Sequence, residues 1–268
     1  MKKILLIAIC IIVTLTFTAC DALDDVMNFI PIFNKTKEAN AVKMEDIAIS
    51  SQEDEDLEEI ESKDDAEESS EVEIVAPKHG QKLVLTTNSG SSIGSLQMYE
   101  FSKGSWQLKY TCVASYGKNG CGKNYGEGKG VTPKGEFKLG TILSPSAISY
   151  NTDWPCTIIS ATTCIVDDVN SPLYNTIQDK NALSKGTSYD PIGDTIVNGN
   201  SEACMYIEHN GNGTDTNNVQ KGKGSAITLC GRKTSLSATA GCVDISASDF
   251  RNILSLLDYT LNPYIIIK

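Results

Sequence analysis

Histidine is scarce in this chain: His79 and His209 are the only two in 268 residues. No group of His and Cys stands at zinc-ligand spacing, so no metal centre is expected. No glycine-rich loop of the kind that cradles phosphates occurs, and no cofactor is expected. An internal repeat is also missing. Basic residues form no patch, and 23 Lys and Arg face 34 Asp and Glu, so nucleic acid is not an expected partner. The apolar run at residues 4–13 is too short to span a bilayer.

That run follows Met1-Lys2-Lys3, and together they read as a secretory signal peptide over residues 1–19. It ends in Phe17-Thr18-Ala19-Cys20, which resembles the lipobox of bacterial lipoproteins, where small residues lead to a cysteine that is lipidated and becomes the new N-terminus. The resemblance implies a lipid on Cys20 and a place on the extracytoplasmic face of the cell membrane. Residues 20–76 then read as an acidic tether. Between positions 45 and 73 there are 15 carboxylates against one basic residue, Lys63, and such a block repels itself and stays extended. The net charge of −11 belongs to this segment, because from Pro77 onward 17 basic residues stand against 15 acids.

Residues 77–268 have the length of one domain with a real core. Their punctuation is that of a mainly β fold. Residues 82–87 and 105–113 carry β-branched and aromatic side chains, with Gly, Asn and Ser between such runs. One helix stands out: Ser246-Ala247-Ser248-Asp249 offers a capping box, and Phe250, Ile253, Leu254 and Leu257 recur at helical spacing. Pro263 ends it, and residues 264–267 read as a buried closing strand. Trp106 and Trp154 read as core or rim.

Seven cysteines fall in this domain, at 112, 121, 156, 164, 204, 230 and 242. An odd number in an exported domain suggests three bridges and one working thiol. Cys112 with Cys121 and Cys156 with Cys164 are the short-loop pairs. Residues 203–209 and 225–230 look like two strands joined by a glycine- and asparagine-rich stretch. A register that sets His209 opposite Ser225 sets Cys204 opposite Cys230, which leaves Cys242 unpaired.

Cys242 lies in Thr239-Ala240-Gly241-Cys242-Val243, a small-residue turn before an apolar strand. A thiolate is the strongest ordinary nucleophile near neutral pH, and Gly241 leaves the backbone open to an incoming carbonyl, so acyl transfer is the natural reaction. The bland alternative is a buried thiol or half of a disulfide.

Four blocks in order carry a family resemblance over about residues 126–268. These are Gly130-Val131-Thr132-Pro133-Lys134-Gly135-Glu136-Phe137, then Val166-Asp167-Asp168 with Ser171, Tyr174 and Asn175, then Gly224-Ser225-Ala226-Ile227, and finally the Cys242 turn. The chain resembles the L,D-transpeptidases of the YkuD type, which cross-link bacterial peptidoglycan through a cysteine acyl-enzyme. The resemblance implies a β-sandwich with one or two short helices and peptidoglycan stem peptides as partners. It also implies Cys242 as nucleophile, an oxyanion turn at Thr239, Ala240 and Gly241, and groove positions at Asp168, Tyr174 and Asn175.

One departure bears on activity. In the family branch with these blocks, the strand that begins glycine-serine ends in a histidine about a dozen positions before the nucleophile, and this chain has Cys230 there. His209, followed by Asn210 and Gly211, is the other candidate base; the strand register holds it roughly 17 Å from the Cys230 end at ordinary strand rise. Two readings follow: an acyltransferase of stem peptides, or a homologue without the base that serves as a wall-binding module.

Overall fold

The computed structural model describes residues 77–268. The expected signal peptide over residues 1–19, the expected lipidation site Cys20 and the acidic stretch over residues 20–76 lie outside the described residues. Among the described residues no helix is long and apolar enough to cross a membrane.

The domain is mainly β, as the turn-rich punctuation implies. Strands β1 (Gln81–Thr86), β2 (Ile93–Ser102) and β3 (Ser105–Ser115) open it as an antiparallel meander. The β2–β3 connection is Lys103-Gly104, both at positive φ (51° and 76°), the backbone that a two-residue hairpin needs to match strand twist. Short β4 (Cys121–Gly122) and β5 (Thr132–Pro133) pair with each other, and β6 (Gly135–Ser144) leads to β7 (Cys156–Ile158). A three-stranded sheet follows, in the order β10 (Tyr189–Asp190), β8 (Thr163–Val166), β9 (Ile177–Asp179). Helix α1 (Ile192–Val197) leads to β11 (Ser201–Ile207), β12 (Thr228–Arg232) and β13 (Val243–Ser246). Helix α2 (Ala247–Leu256) and β14 (Tyr264–Ile267) close the chain.

The main sheet runs β11-β12-β13-β3-β2-β1-β14-β6-β7, and β6 also pairs with β11. The sheet therefore folds back on itself, and its inner faces meet over one core. Leu83, Leu85, Leu96, Met98, Val243, Ile245, Ile265 and Ile267 are all buried there, placed by the two-residue alternation of strands. Each contributes about 1.5–3 kcal/mol by leaving water. Helix α2 starts where the capping box lies: the Ser246 side chain accepts the Asp249 amide at 3.1 Å. Its apolar face, Phe250, Ile253 and Leu254, packs into this core against β12 and β13. Helix and sheet meet closely at Gly231 of β12, where an added Cβ would lie 2.8 Å from Phe250 Cβ. Trp154 is buried and donates to the Gly140 carbonyl, while Trp106 carries the Lys82 ammonium over its ring at 3.8 Å. Both tryptophans are therefore structural.

On β11 and β12 the alternate side chains, Cys204, Tyr206 and Cys230, face the other way, into a second apolar cluster with Ile165, Ile192 and Ile196. The three-stranded sheet and α1 form this outer layer.

The register is Cys204↔Cys230, Met205↔Leu229 and Tyr206↔Thr228, and Cys204 and Cys230 are joined in a disulfide. The strand pairing stops before His209 and Ser225, because Ala226 turns to positive φ (55°) and β12 begins only at Thr228. The two short-loop bridges are corrected: Cys112, Cys121, Cys156 and Cys164 are all free. Cys112, Cys121 and Cys156 pack separately against the main core, whereas Cys164 is buried in the outer layer on β8. Proximity along the chain does not become proximity of sulfurs when neighbouring strands enter different layers.

Candidate active site

Gly241 has φ 149°, and a Cβ on it would meet Ile227 Cδ1 at 2.9 Å, so the turn before Cys242 requires glycine. Thr239 ties the turn together. Its hydroxyl donates to the Cys242 carbonyl at 2.6 Å and accepts the Gly241 amide at 3.1 Å. Its backbone is anchored to Tyr116 and Lys118 (2.9 and 2.8 Å). The turn at Thr239, Ala240 and Gly241, where the resemblance implies an oxyanion site, is held by these hydrogen bonds, and the Gly241 amide is engaged within it.

Cys242 opens onto two cavities at once. The first, about 280 Å³, is walled by Tyr125, Glu127, Val131, Asp167 and Asp190 among others. The second, about 240 Å³, is walled by Asp190, Thr228, Cys230, Arg232 and Asp244 among others. Asp190, Ala226, Ala240 and Cys242 border both. Val131 and Pro133 of the threonine-proline block line the first cavity, so that block reaches the site.

The sulfur itself is closely held. It donates to the Ala226 carbonyl at 3.2 Å and accepts from the Thr228 hydroxyl at 3.4 Å. Although Cys242 as a whole residue is only half-buried, desolvation of the thiol pushes its pKa up to about 12. The Thr228 hydrogen bond opposes that rise, and the charges of Asp190 and Asp244 reinforce it. At neutral pH the group is therefore held as the thiol. Burial also raises two neighbouring carboxyls to about 6. For Asp190 the charges of Asp167 and Glu127 add to the effect, and for Asp244 the Arg232 guanidinium, 3.6 Å away, opposes it. Both are mainly ionised at neutral pH.

No protein-family model and no curated protein matches the chain.

Cys230, which stands where the resembled family has its base, lines the second cavity but is bonded to Cys204 and offers no base. His209 borders neither cavity. Its ring meets Tyr125 and Phe137 edge-on, with centroids 5.9 and 6.1 Å apart. Its Nε2 is buried without a hydrogen-bond partner, and a Cβ on Gly224 would lie 3.3 Å from it. Burial lowers its pKa. His209 is thus a neutral packing residue behind the cavity wall, and His79, bonded to the Asn262 carbonyl at 2.7 Å, belongs to the Tyr264 neighbourhood.

The groove candidates divide. Tyr174 is buried and donates its hydroxyl to Glu127, a wall residue of the first cavity, so it steers that carboxylate from behind. Asn175 is fully buried at φ 60°. Its side-chain oxygen accepts from Tyr206 Oη at 2.5 Å and from the Ala226 amide at 3.0 Å. It therefore holds Ala226, the residue whose carbonyl accepts the hydrogen bond from the Cys242 thiol. Asp168 accepts the Asn170 amide in a turn at 2.9 Å and borders neither cavity; its neighbour Asp167 does.

Thr228, Asp190 and Glu127 are site residues that the motifs missed. Thr228 was recoverable from strand alternation, since i and i+2 share a face and Cys230 was already singled out. Asp190 and Glu127 carry no local signal; they arrive from β10 and from a loop by long-range packing.

Proposed function

We propose that this domain is a cysteine acyltransferase acting on peptidoglycan stem peptides, of the L,D-transpeptidase type, held at the extracytoplasmic face by a lipid on Cys20. The observation that carries the reading is the placement of one thiol, Cys242, at the junction of two cavities, with an acid, Asp190, bordering both. Two cavities meeting at one nucleophile suit a reaction in which an acyl donor and an acceptor approach in turn.

Asp190 takes the part that histidine has in the resembled family. A carboxyl with a pKa of about 6 is ionised at neutral pH yet basic enough to accept a proton in a desolvated site. Cys242 Sγ attacks the carbonyl carbon of an L,D peptide bond as its proton passes to the Asp190 carboxylate. The carbonyl electron pair moves to oxygen, where the Cys242 amide donates to it. The intermediate collapses, the C–N bond breaks, and the departing amine takes the proton from Asp190. An acceptor amine or water, losing its proton to Asp190, then attacks the thioester and releases Cys242 as the thiol. General-base help of this kind is worth roughly 10² to 10⁴ in rate, which the buried thiol needs.

A second reading is favoured by the walled-off His209 and the bridged Cys230: a stem-peptide-binding module with no turnover. Incubation with a disaccharide tetrapeptide separates them. The acyltransferase forms a Cys242 thioester that passes to an added D-amino acid. The binding module retains the peptide without a covalent mass change.

A further inference from the structure

Three cysteines lie on one side of three adjacent strands. β11 carries Cys204, β12 carries Cys230, and Cys242 immediately precedes β13. Because Cys230 is opposite Asp244 in the parallel β12–β13 pair, Cys242 is two residues back and on the same face as Cys230. Thr228 stands between them: its Oγ1 is 3.1 Å from the Cys230 sulfur and 3.4 Å from the Cys242 sulfur. One hydroxyl in contact with both bounds the two sulfurs to within the sum of those contacts. Cys230 also lines the second cavity beside Cys242, whereas Cys204 is fully buried one strand further away.

We infer that the Cys230 sulfur is a second covalent partner of Cys242, reached by thiol–disulfide exchange within the domain. The Cys242 thiolate attacks Cys230 Sγ, and the Cys230–Cys204 bond breaks. The electron pair leaves on Cys204, which takes up the proton that Cys242 gave up. One disulfide is lost and one is formed, so no external oxidant or reductant is needed. Attack falls on Cys230 rather than Cys204 because only Cys230 shares the cavity and the Thr228 contact. The Cys242 side chain must leave the Ala226 carbonyl, and the strand ends must draw together, because the two-residue offset sets the Cys230 and Cys242 Cα atoms roughly 8 Å apart, beyond the usual disulfide span. The exchanged form hides the nucleophile and the reverse attack by Cys204 restores it. This consequence rests on the acyltransferase reading; the exchange itself does not.

The exchange rate follows the thiolate population. The charged groups around Cys242 are Asp190, Asp244 and Arg232 in the second cavity and Asp167, Glu127 and Lys118 in the first. Burial and the nearby acids keep the thiol protonated, so exchange at neutral pH is slow and speeds up about tenfold per pH unit on the alkaline side.

The test uses the full chain, unreduced, held at pH 7, 8 and 9, quenched in acid and treated with N-ethylmaleimide. Trypsin separates the three cysteines, since Lys221, Lys223, Arg232 and Lys233 lie between them. The expected result is a growing Cys230–Cys242 linked peptide pair, with Cys204 modified by the maleimide, about tenfold faster at each step of pH. In Cys242→Ser, a near-isosteric change, Cys204 stays protected at every pH. An unchanging Cys204–Cys230 linkage with Cys242 modified throughout overturns the proposal. A Cys204–Cys242 linkage, or linkage of any of these three to Cys112, Cys121, Cys156 or Cys164, overturns it equally. Because the readout involves no acyl donor, the outcome is independent of whether the domain turns over stem peptides.

Discussion

The hydroxyl of Thr228 donates to the sulfur of Cys242 across 3.4 Å, from the first residue of β12 to the residue that precedes β13. It is the interaction that most favours the thiolate in a site whose burial disfavours it. Thr228→Val keeps the shape and removes the donor. Alkylation of Cys242 by iodoacetamide at fixed pH is expected to slow by about tenfold, the effect of losing one hydrogen bond to a charged group. An unchanged rate in the folded variant would show that Thr228 does not tune the sulfur.

Asp190 gives a prediction with two signs. As proton acceptor it is lost on protonation, so acylation of Cys242 should fall as pH drops through about 6, and Asp190→Asn should be slow with no such limb. Stability runs the other way. A carboxyl whose native pKa is raised binds more protons folded than unfolded between about 4 and 6, so its contribution favours the folded state at low pH and is lost as pH rises through 6. Asp190→Asn should therefore raise the melting temperature at pH 7 by an amount worth about 2 kcal/mol and leave it nearly unchanged at pH 4. A variant less stable at pH 7 than the parent would contradict the account.

Five free cysteines and one bridge are expected when the unreduced domain is denatured in acid and its thiols counted by mass. A count of one would restore the three-bridge framework that the cysteine spacing suggests.

His209→Ala removes a ring that packs between Tyr125 and Phe137 and borders neither cavity. It should cost about 1–3 kcal/mol of stability, as core truncations do. The rate at which Cys242 is acylated should stay within about twofold of the parent. A loss of two orders of magnitude with the fold intact would make His209 the base.

Much of the frame was legible because it rests on local rules. The Ser246 cap and the spacing of Phe250, Ile253 and Leu254 give α2, and the Cys204↔Cys230 register follows from two short strands and the glycine-rich stretch between them. The position of Cys242 after a glycine that tolerates no side chain was also readable. What was not readable depends on layers. Cys156 and Cys164 are close in sequence but belong to the main sheet and the outer layer, and no spacing rule encodes that. Asp190 sits on a two-residue strand, and its importance comes only from the two cavities that meet above it. The resemblance implies Asn175 as a groove residue, whereas its side-chain oxygen accepts the Ala226 amide from inside.

The most direct measurement is the intact mass of the folded domain after exposure to a β-lactam of the carbapenem type, which acylates the family that the chain resembles. The account predicts one adduct, mapped to Cys242, absent in Cys242→Ala, formed at least tenfold more slowly in Asp190→Asn, and retained in His209→Ala. A folded parent protein that takes up no adduct, or takes it up at a residue other than Cys242, would contradict the acyltransferase reading.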